Sequence, residues 1–369
     1  MKSQPTHTLK VKNRIEETSD AVSFIFEIPE ALRASFKYHS GQFVTLFLNV
    51  NGEELRRSYS LSTAPEVDRD FQITVKRVPD GRGSNFLCDQ VFEGDHLEVT
   101  PPSGFFFRPE RISYPCHFFL FAAGSGITPI FSILKHALSA HPENQVSLLF
   151  ANRNQNQIIY SQQLEDYQKA NSDRLEITLI LSQPHSPWEG PSGRCTEVLV
   201  KNFYNSQLVK GEEHQVFTCG PSGFMDLVTS ALHQIPVDEN RIHLESFGDG
   251  PQPKIEQNHF DESGKVLIGD PSAPIAAPET LKAIINNEEI EIPIEPNLSI
   301  LENLIEAGHN PPYSCMDGAC MACMAKIKTG RIYQEDPGIL TEENIEAGEV
   351  LTCQARALTK IVEVDYDDL

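Results

Sequence analysis

Four of the chain's eight cysteines are spaced for metal chemistry. Cys315, Cys320 and Cys323 read C-x4-C-x2-C, and a lone Cys353 follows thirty residues on. Three thiolates crowded into one loop with a distant fourth match the ligand spacing of a [2Fe–2S] cluster. Gly318 and Ala319 between them let backbone amides turn toward sulfide, which tunes such a centre. Four thiolates also suit a tetrahedral zinc site, but zinc sites usually pair two short C-x2-C knuckles. Met321 and Met324 fill the rest of the loop as packing residues and would make it dry.

A second group of residues is suited to binding anions and flat rings. Arg57-Ser-Tyr59-Ser60 combines a guanidinium and hydroxyls that can hold pyrophosphate with an aromatic face for an isoalloxazine ring. Val75-Lys76-Arg77 follows on the next strand, and Gly81-Arg82-Gly83-Ser84 opens a helix whose free amides suit phosphate. By itself R-x-Y-S is short, and an exposed strand with an ordinary salt bridge would read the same way. Gly124-Ser125-Gly126-Ile-Thr128-Pro129 again follows a strand and opens a helix, with Thr128 as N-cap and Pro129 at the first helical position. It lacks the third glycine of the usual dinucleotide fingerprint. Cys219-Gly220-Pro221 ends a later strand, where small side chains leave room for a ligand, although a buried structural thiol is the plain alternative. Arg153 is a candidate for a 2′-phosphate, since arginine is the side chain that such a group favours.

These residues need elements to hold them. Up to about residue 110 the chain alternates apolar and polar positions, as in Ala21–Ile28, Gln42–Leu48 and Phe71–Val75, which predicts a small antiparallel β-barrel. From about 111 to 248 buried strands alternate with helices, at His117–Ala123, Pro129–Ala140, Val146–Ala151, Tyr160–Ala170, Leu175–Leu181, Gln215–Cys219 and Gly223–Gln234. That order implies an α/β domain with a parallel sheet covered on both faces. Residues 249–278, rich in Pro, Gly, Asp and Ser, read as a linker that lets the last module move. Residues 279–369 begin with a hairpin, Leu281–Ile285 and Ile290–Ile294, then a helix at Ser299–Ala307, which predicts an α+β module.

Length and composition fit this multidomain plan. A chain of 369 residues exceeds one ordinary core and suits two or three. A formal charge of −22 argues against nucleic acid, which needs a basic face. Residues 278–369 carry 18 acidic and 6 basic side chains, a net −12 that can steer a basic protein partner. The N-terminus has no signal-peptide pattern, and the most apolar stretch, His117–Phe131, is broken by Gly124, Gly126 and Pro129, so stable membrane insertion is not expected. Cys88, Cys116, Cys195 and Cys219 form no disulfide framework. A cytoplasmic, reducing location follows.

The segment 281–366, with its trailing Leu351-Thr-Cys-Gln-Ala355, resembles plant-type ferredoxins, which implies that the α+β module is of β-grasp type. Residues 1 to about 247 resemble the ferredoxin–NADP reductase superfamily, in which G-x-G-I-T/A-P is the expected nucleotide motif. The resemblance implies that Arg57, Tyr59, Ser60, Val75, Lys76 and the Gly81–Ser84 loop bind flavin, with Ser84–Asp89 pointing to FAD and FMN as the fallback. It places the Cys219 counterpart beside the hydride-donating carbon of the nicotinamide. It likewise puts Phe247 near the flavin and Glu245 in a polar network. Gln183 stands where several NADPH-specific relatives have arginine, so NADPH and NADH both remain open.

A nicotinamide gives up two electrons as hydride, whereas a [2Fe–2S] cluster takes one at a time, so a flavin must stand between them. The module order implies an oxidoreductase that passes electrons from NAD(P)H through flavin and cluster to a separate acceptor protein. As a whole the chain resembles reductases of multicomponent oxygenases, including the reductase subunit of phenylacetyl-CoA epoxidase, which implies an oxygenase component as acceptor. Reductases of hybrid-cluster proteins and of fatty-acid desaturases share the plan. A non-catalytic ferredoxin-like sensor and a diaphorase with a zinc-filled tail are the competing readings.

Overall fold

The computed structural model describes residues 6–208, 213–247, 265–270, 272–313, 318, 321–335 and 340–369. They divide into two compact units, one spanning Thr6–Phe247 and the other formed by the C-terminal stretch to Leu369.

The first unit opens with an antiparallel sheet of β1 (His7–Thr18), β2 (Ala21–Glu27), β3 (Phe43–Val50), β4 (Glu53–Ser60), β5 (Phe71–Lys76) and β6 (His96–Val99), with helix α1 (Arg82–Gln90) between the last two strands. Their order is β4-β3-β6-β1-β2-β5, and a bridge from Leu61 to Ile73 brings the β4 end back to β5 and closes the barrel. Alternation supplies the core: Val22 and Phe24, Val44 and Leu46, Ile73 and Val75 point inward, and Leu87 and Cys88 of α1 join them. Asn51 and Gly52, both at positive φ, make the tight β3–β4 hairpin turn. Strand β1 has no clean alternation in sequence because two register shifts, at Val11/Asn13 and Glu16/Thr18, interrupt its period of two.

The same unit continues with β7 (His117–Ala123), α2 (Ile127–Ala140), β8 (Gln145–Asn152), α3 (Ser161–Ala170), β9 (Leu175–Leu181), α4 (Glu197–Gln207), β10 (His214–Gly220), α5 (Ser222–His233) and β11 (Ile242–Ser246). All five strands are parallel, in the order β11-β10-β7-β8-β9. Helices α2 and α3 pack on one face and α4 and α5 on the other, which is why β7 is buried along its whole length and apolar from Phe118 onward. The order reverses between β7 and β10, and ligands of open parallel sheets bind at such a switch point.

Barrel and sheet share one core, in which Ala21, Phe106 and Phe107 pack with α2. Polar ties reinforce it: Tyr160 donates to Thr74 of β5, Ser132 donates to Thr63 O (2.7 Å), and the buried Lys135 pairs with Asp68. Helix α2 starts earlier than its sequence suggests. Gly124–Gly126 form a 3-10 turn that runs straight into Ile127, so Thr128 and Pro129 lie inside the first turn and Thr128 is not the N-cap. Its hydroxyl instead donates to Ser125 O (3.0 Å), and proline is harmless there because first-turn amides have no helical acceptor.

The second unit comprises β12 (Lys265–Gly269), β13 (Thr280–Ile285), β14 (Glu288–Pro293), α6 (Ile300–Glu306), β15 (Met324–Thr329), β16 (Arg331–Glu335), α7 (Glu342–Glu346), β17 (Glu349–Leu351), β18 (Ala355–Ala357) and β19 (Ile361–Asp365). A five-stranded sheet, β14-β13-β19-β15-β17, covers α6, whose Ile300, Leu301 and Leu304 are buried. Ser299 and Glu302 form a capping box at the start of α6. In the β13–β14 turn, Asn286 and Asn287 take positive φ, and Asp367 accepts both of their amides (3.0 and 2.6 Å).

Strands β12, β16 and β18 form a second, three-stranded sheet. The expected linker 249–278 therefore contains a strand: β12 pairs with β16 along its length, and Ile268 is buried in the module's core. Asp270 N–H donates to Gly330 O (3.0 Å) and Ala276 N–H to Leu358 O (2.9 Å), so the stretch beyond β12 is also held to this unit. Composition pointed to a loop because one five-residue strand edged by Gly and Pro carries little periodicity. The rest of the expected linker, residues 249–264, lies outside the described residues.

Candidate functional site

At the barrel end of the first unit, β4 carries Arg57, Tyr59 and Ser60 in register with Leu46, Val44 and Phe43 of β3. Arg57 is exposed; its Nη1 donates to Arg56 O (2.7 Å), and no carboxylate pairs with it among the described residues. Its stem lies on Gly83, where a Cβ would come within 3.0 Å of Arg57 Cγ, so the glycine lets the α1 turn approach the arginine. Gly81 is the N-cap of α1 and no side chain caps the helix, so its first amides have no capping partner. The Ser84 hydroxyl is spent on the loop, accepting from Val78 N–H (3.1 Å) and donating to Gly81 O (3.4 Å). Arg82 pairs with Glu53, and Lys76 with Asp20 (3.6 Å), which leaves Arg57 as the unneutralised cation of the three. Val75 turns its side chain into the barrel core and presents only backbone. Tyr59 is half-buried, and burial pushes its phenol upward while Arg57 opposes the shift. An open guanidinium, uncapped amides and a half-covered aromatic ring fit a flavin diphosphate.

The C-terminal edge of the parallel sheet faces this end of the barrel. Gly124 sits at φ +55°, and a Cβ on Gly126 would lie 2.1 Å from Cys219 O, so only glycine lets the turn after β7 settle against the end of β10. Gly220 is confined less tightly, with Ala123 Cβ 3.0 Å from where its own would stand. Pro221 caps α5 and is exposed. Cys219 is fully buried, and burial, with Glu245 beside it, holds its thiol well above the usual range, so it is neutral.

Glu245 pairs with Cys219 across the β10–β11 ladder and is only 5% exposed. Burial raises its carboxyl to about 8, against the opposing effect of a hydrogen bond from Ser60 Oγ (3.2 Å). That bond spans 185 residues and joins the R-x-Y-S strand to the edge of the nucleotide sheet. Phe247, the last residue of this unit, is 40% exposed.

Beyond β8, Arg153 is exposed beside Ser182 and Gln183; Gln183 N–H donates to Arg153 O (2.7 Å) and Ser182 N–H to Asn152 O (2.9 Å). Asn152 itself was not singled out from sequence. It is buried at the last position of β8, and neither atom of its amide has a hydrogen-bond partner among the described residues. Its place at the end of the second parallel strand was readable as a ligand position, but its burial was not.

Cys315 and Cys320 lie outside the described residues. Cys323 and Cys353 are both buried, and their sulfurs stand 3.2 Å apart, too far for a disulfide. Two thiolates on one tetrahedral metal at about 2.3 Å would lie roughly 4 Å apart, so an iron shared by this pair would need the sulfurs to open by somewhat under about 1 Å. Met321, at φ +56°, and Met324 are buried, which makes this side of the site dry, and Gln354 Nε2 lies 3.6 Å from Cys353 Sγ.

A barrel with an open anion site, a parallel sheet whose switch point abuts it, and a ferredoxin-like module with paired thiols define a modular flavin and iron–sulfur oxidoreductase. Three family models match in that order: an oxidoreductase FAD-binding domain over 8–107, an oxidoreductase NAD-binding domain over 120–230, and a 2Fe-2S iron-sulfur cluster binding domain over 283–358. The chain is 33% identical over 359 residues to the ferredoxin reductase component of 3-ketosteroid-9-alpha-monooxygenase from Rhodococcus rhodochrous, covering 97% of this chain and 96% of that one. It is 30% identical to one of the subunits of 1,2-phenylacetyl-CoA epoxidase from Escherichia coli K12, covering 98% of each. Among solved structures, phthalate dioxygenase reductase matches with a TM-score of 0.55 and 24% identity over 98% of both chains, a likeness of fold.

The chain belongs to the ferredoxin–NADP reductase-like family whose members carry a C-terminal [2Fe–2S] ferredoxin domain. It is an oxidoreductase that carries electrons from NAD(P)H through FAD to the cluster, the flavin supplying the conversion of a hydride into single electrons. No helix among the described residues is long and apolar enough to cross a membrane.

Proposed function

We propose that this chain is the reductase component of a multicomponent oxygenase, delivering electrons one at a time from its ferredoxin module to a separate oxygenase protein. The observation that carries the reading is the Ser60–Glu245 bond, which ties the barrel strand of the open anion site to the edge strand β11 of the nucleotide sheet, one strand from its switch point. Relatives along nearly the full chain are reductase components of monooxygenases, which supports an oxygenase as acceptor over a hybrid-cluster protein or a desaturase.

In this reading Arg57 and the amides of Arg82, Gly83 and Ser84 hold the flavin pyrophosphate, Tyr59 lies against the ring, and Val75 and Lys76 border it through backbone and charge. Gly124, Ser125, Gly126 and Thr128 form the turn that receives the nicotinamide dinucleotide, and Gly220 and Pro221 keep its far wall low. Cys219, neutral and buried, would lie behind the wall that faces the nicotinamide, while Glu245 holds Ser60 and a proton at the junction. Phe247 would lie near the flavin ring. Arg153 and Asn152 meet the adenosine end. Cys315, Cys320, Cys323 and Cys353 hold the cluster.

The test separates the two halves of the path. Cys353→Ser should lower cytochrome c reduction at least about tenfold, as loss of metal-site residues does, while ferricyanide, which takes electrons from flavin, is still reduced. Equal loss of both would contradict the route. Rapid NAD(P)H-driven reduction of a hybrid-cluster protein, with no turnover of diiron or Rieske-type oxygenase components, would replace the proposed acceptor.

A further inference from the structure

The C-terminal strand of the second unit ends in a buried polar chain that leads to the cluster ligands. Tyr366, just past β19, is 7% exposed, and a buried phenol needs a hydrogen-bond partner. Its hydroxyl donates to Thr352 Oγ1 at 2.9 Å. Thr352 is fully buried, and its own hydroxyl proton goes to Cys323 O at 2.7 Å. The Thr352 amide donates to that same carbonyl at 3.2 Å, and Thr352 O accepts from Leu301 N–H of α6 at 3.0 Å. A hydroxyl has one proton to give, so the chain runs one way, from Tyr366 through Thr352 to Cys323.

Thr352 immediately precedes Cys353, so the residue next to one ligand grips the backbone of another, thirty positions away in sequence. Packing alone does not require this. A valine and a phenylalanine would fill the same volume with no polar group to satisfy, and replacing both partners of a buried hydrogen bond by apolar groups of the same shape can be nearly neutral. What the polar pair adds is direction: it fixes Cys323 against Cys353 and offsets the negative end of the Cys323 carbonyl, which belongs to a ligand residue. Hydrogen bonds around metal ligands orient them and set the potential of iron–sulfur clusters.

We infer that Thr352 and Tyr366 are positioning residues for the [2Fe–2S] cluster, coupling the C-terminal strand to the Cys323–Cys353 ligand pair and setting both cluster retention and potential. This rests on the assignment of Cys323 and Cys353 as ligands.

The full-length holoprotein and the variants Thr352→Val, Thr352→Ser, Tyr366→Phe and Thr352→Val/Tyr366→Phe provide the test. The midpoint potential is read by EPR-monitored redox titration, and the rate of cluster loss by visible absorbance in excess chelator. Tyr366→Phe and Thr352→Val should both lower the potential and speed cluster loss, by about tenfold for Thr352→Val, the scale of lost outer hydrogen bonds at metal sites. Thr352→Ser keeps the hydroxyl and should match the wild type. The double variant should be no worse than Thr352→Val, because the two residues act in series. If Thr352→Val does not accumulate as folded protein, Tyr366→Phe, which removes one oxygen from a packed ring, carries the test alone. Potential and cluster lifetime equal to wild type in Tyr366→Phe, with or without a lower melting temperature, would overturn the inference, as would additive effects in the double variant. Absence of a cluster signal from the wild-type protein would instead strike at the ligand assignment.

Discussion

Gly126 and Gly223 make opposite demands on one residue type. A Cβ at Gly126 would sit 2.1 Å from the Cys219 carbonyl, whereas nothing lies within 4 Å of one at Gly223, inside α5. Gly126→Ala must therefore push β7 and β10 apart at the switch point, at a cost of about 2–3 kcal/mol, and should raise the KM for NAD(P)H. Gly223→Ala should stabilise by roughly 0.5–1 kcal/mol, through reduced backbone entropy in the unfolded chain. Urea unfolding and steady-state kinetics of the two variants check both signs.

Glu245 sets a pH dependence. An unfolded glutamate loses its proton near 4.5, while in the fold burial keeps it to about 8. Folding thus retains a proton across that window; stability is fully present below it and declines as pH rises, by up to ~5 kcal/mol. Glu245→Gln keeps a partner for Ser60 but cannot titrate, so urea midpoints at pH 5 and pH 8 should draw together. An undiminished difference in the variant would show that another group is responsible.

At the scale of elements, the consequential feature is β12. It adds an edge strand to the second sheet of the ferredoxin module and seats Ile268, 2% exposed, in that module's core. Gly269 and Gly330, at φ +106° and +88°, allow the close crossing: a Cβ on Gly269 would meet Gly330 O at 2.4 Å. Ile268→Ala should cost the module about 2–4 kcal/mol through a cavity. On heating, the cluster's visible absorbance should then be lost at a lower temperature, with flavin release unmoved. A coincident drop in both transitions would mean that the strand's contribution is not confined to this module.

For the whole molecule, the decisive quantity is charge. Residues 278–369 hold a net −12 of the chain's −22, so more than half of the excess sits in the module that hands electrons on. Long-range attraction to a basic acceptor is screened over about 10 Å at 0.1 M salt. Electron delivery to the partner protein should fall about tenfold or more between low and high ionic strength. Reduction of the flavin by NAD(P)H in the same solutions supplies the internal reference. Salt-insensitive delivery would show that apolar contacts govern docking.

Chemistry that depends on near neighbours in the chain was legible without a structure. Cys315-x4-Cys320-x2-Cys323, the R-x-Y-S strand and the glycine turn after β7 could be read because each packs its reacting groups into a few residues, and periodicity showed the strands and helices that carry them. Tertiary structure decided whatever depends on residues far apart. The start of α2 follows from how the 3-10 turn settles on β10, and β12 forms because its pairing partner lies more than sixty positions on. The Ser60–Glu245 bond, the unpartnered amide of Asn152 and the Tyr366–Thr352–Cys323 chain exist only once burial has removed water as the competing partner. Local sequence selects which chemistry is possible, and burial decides which polar groups must find one another.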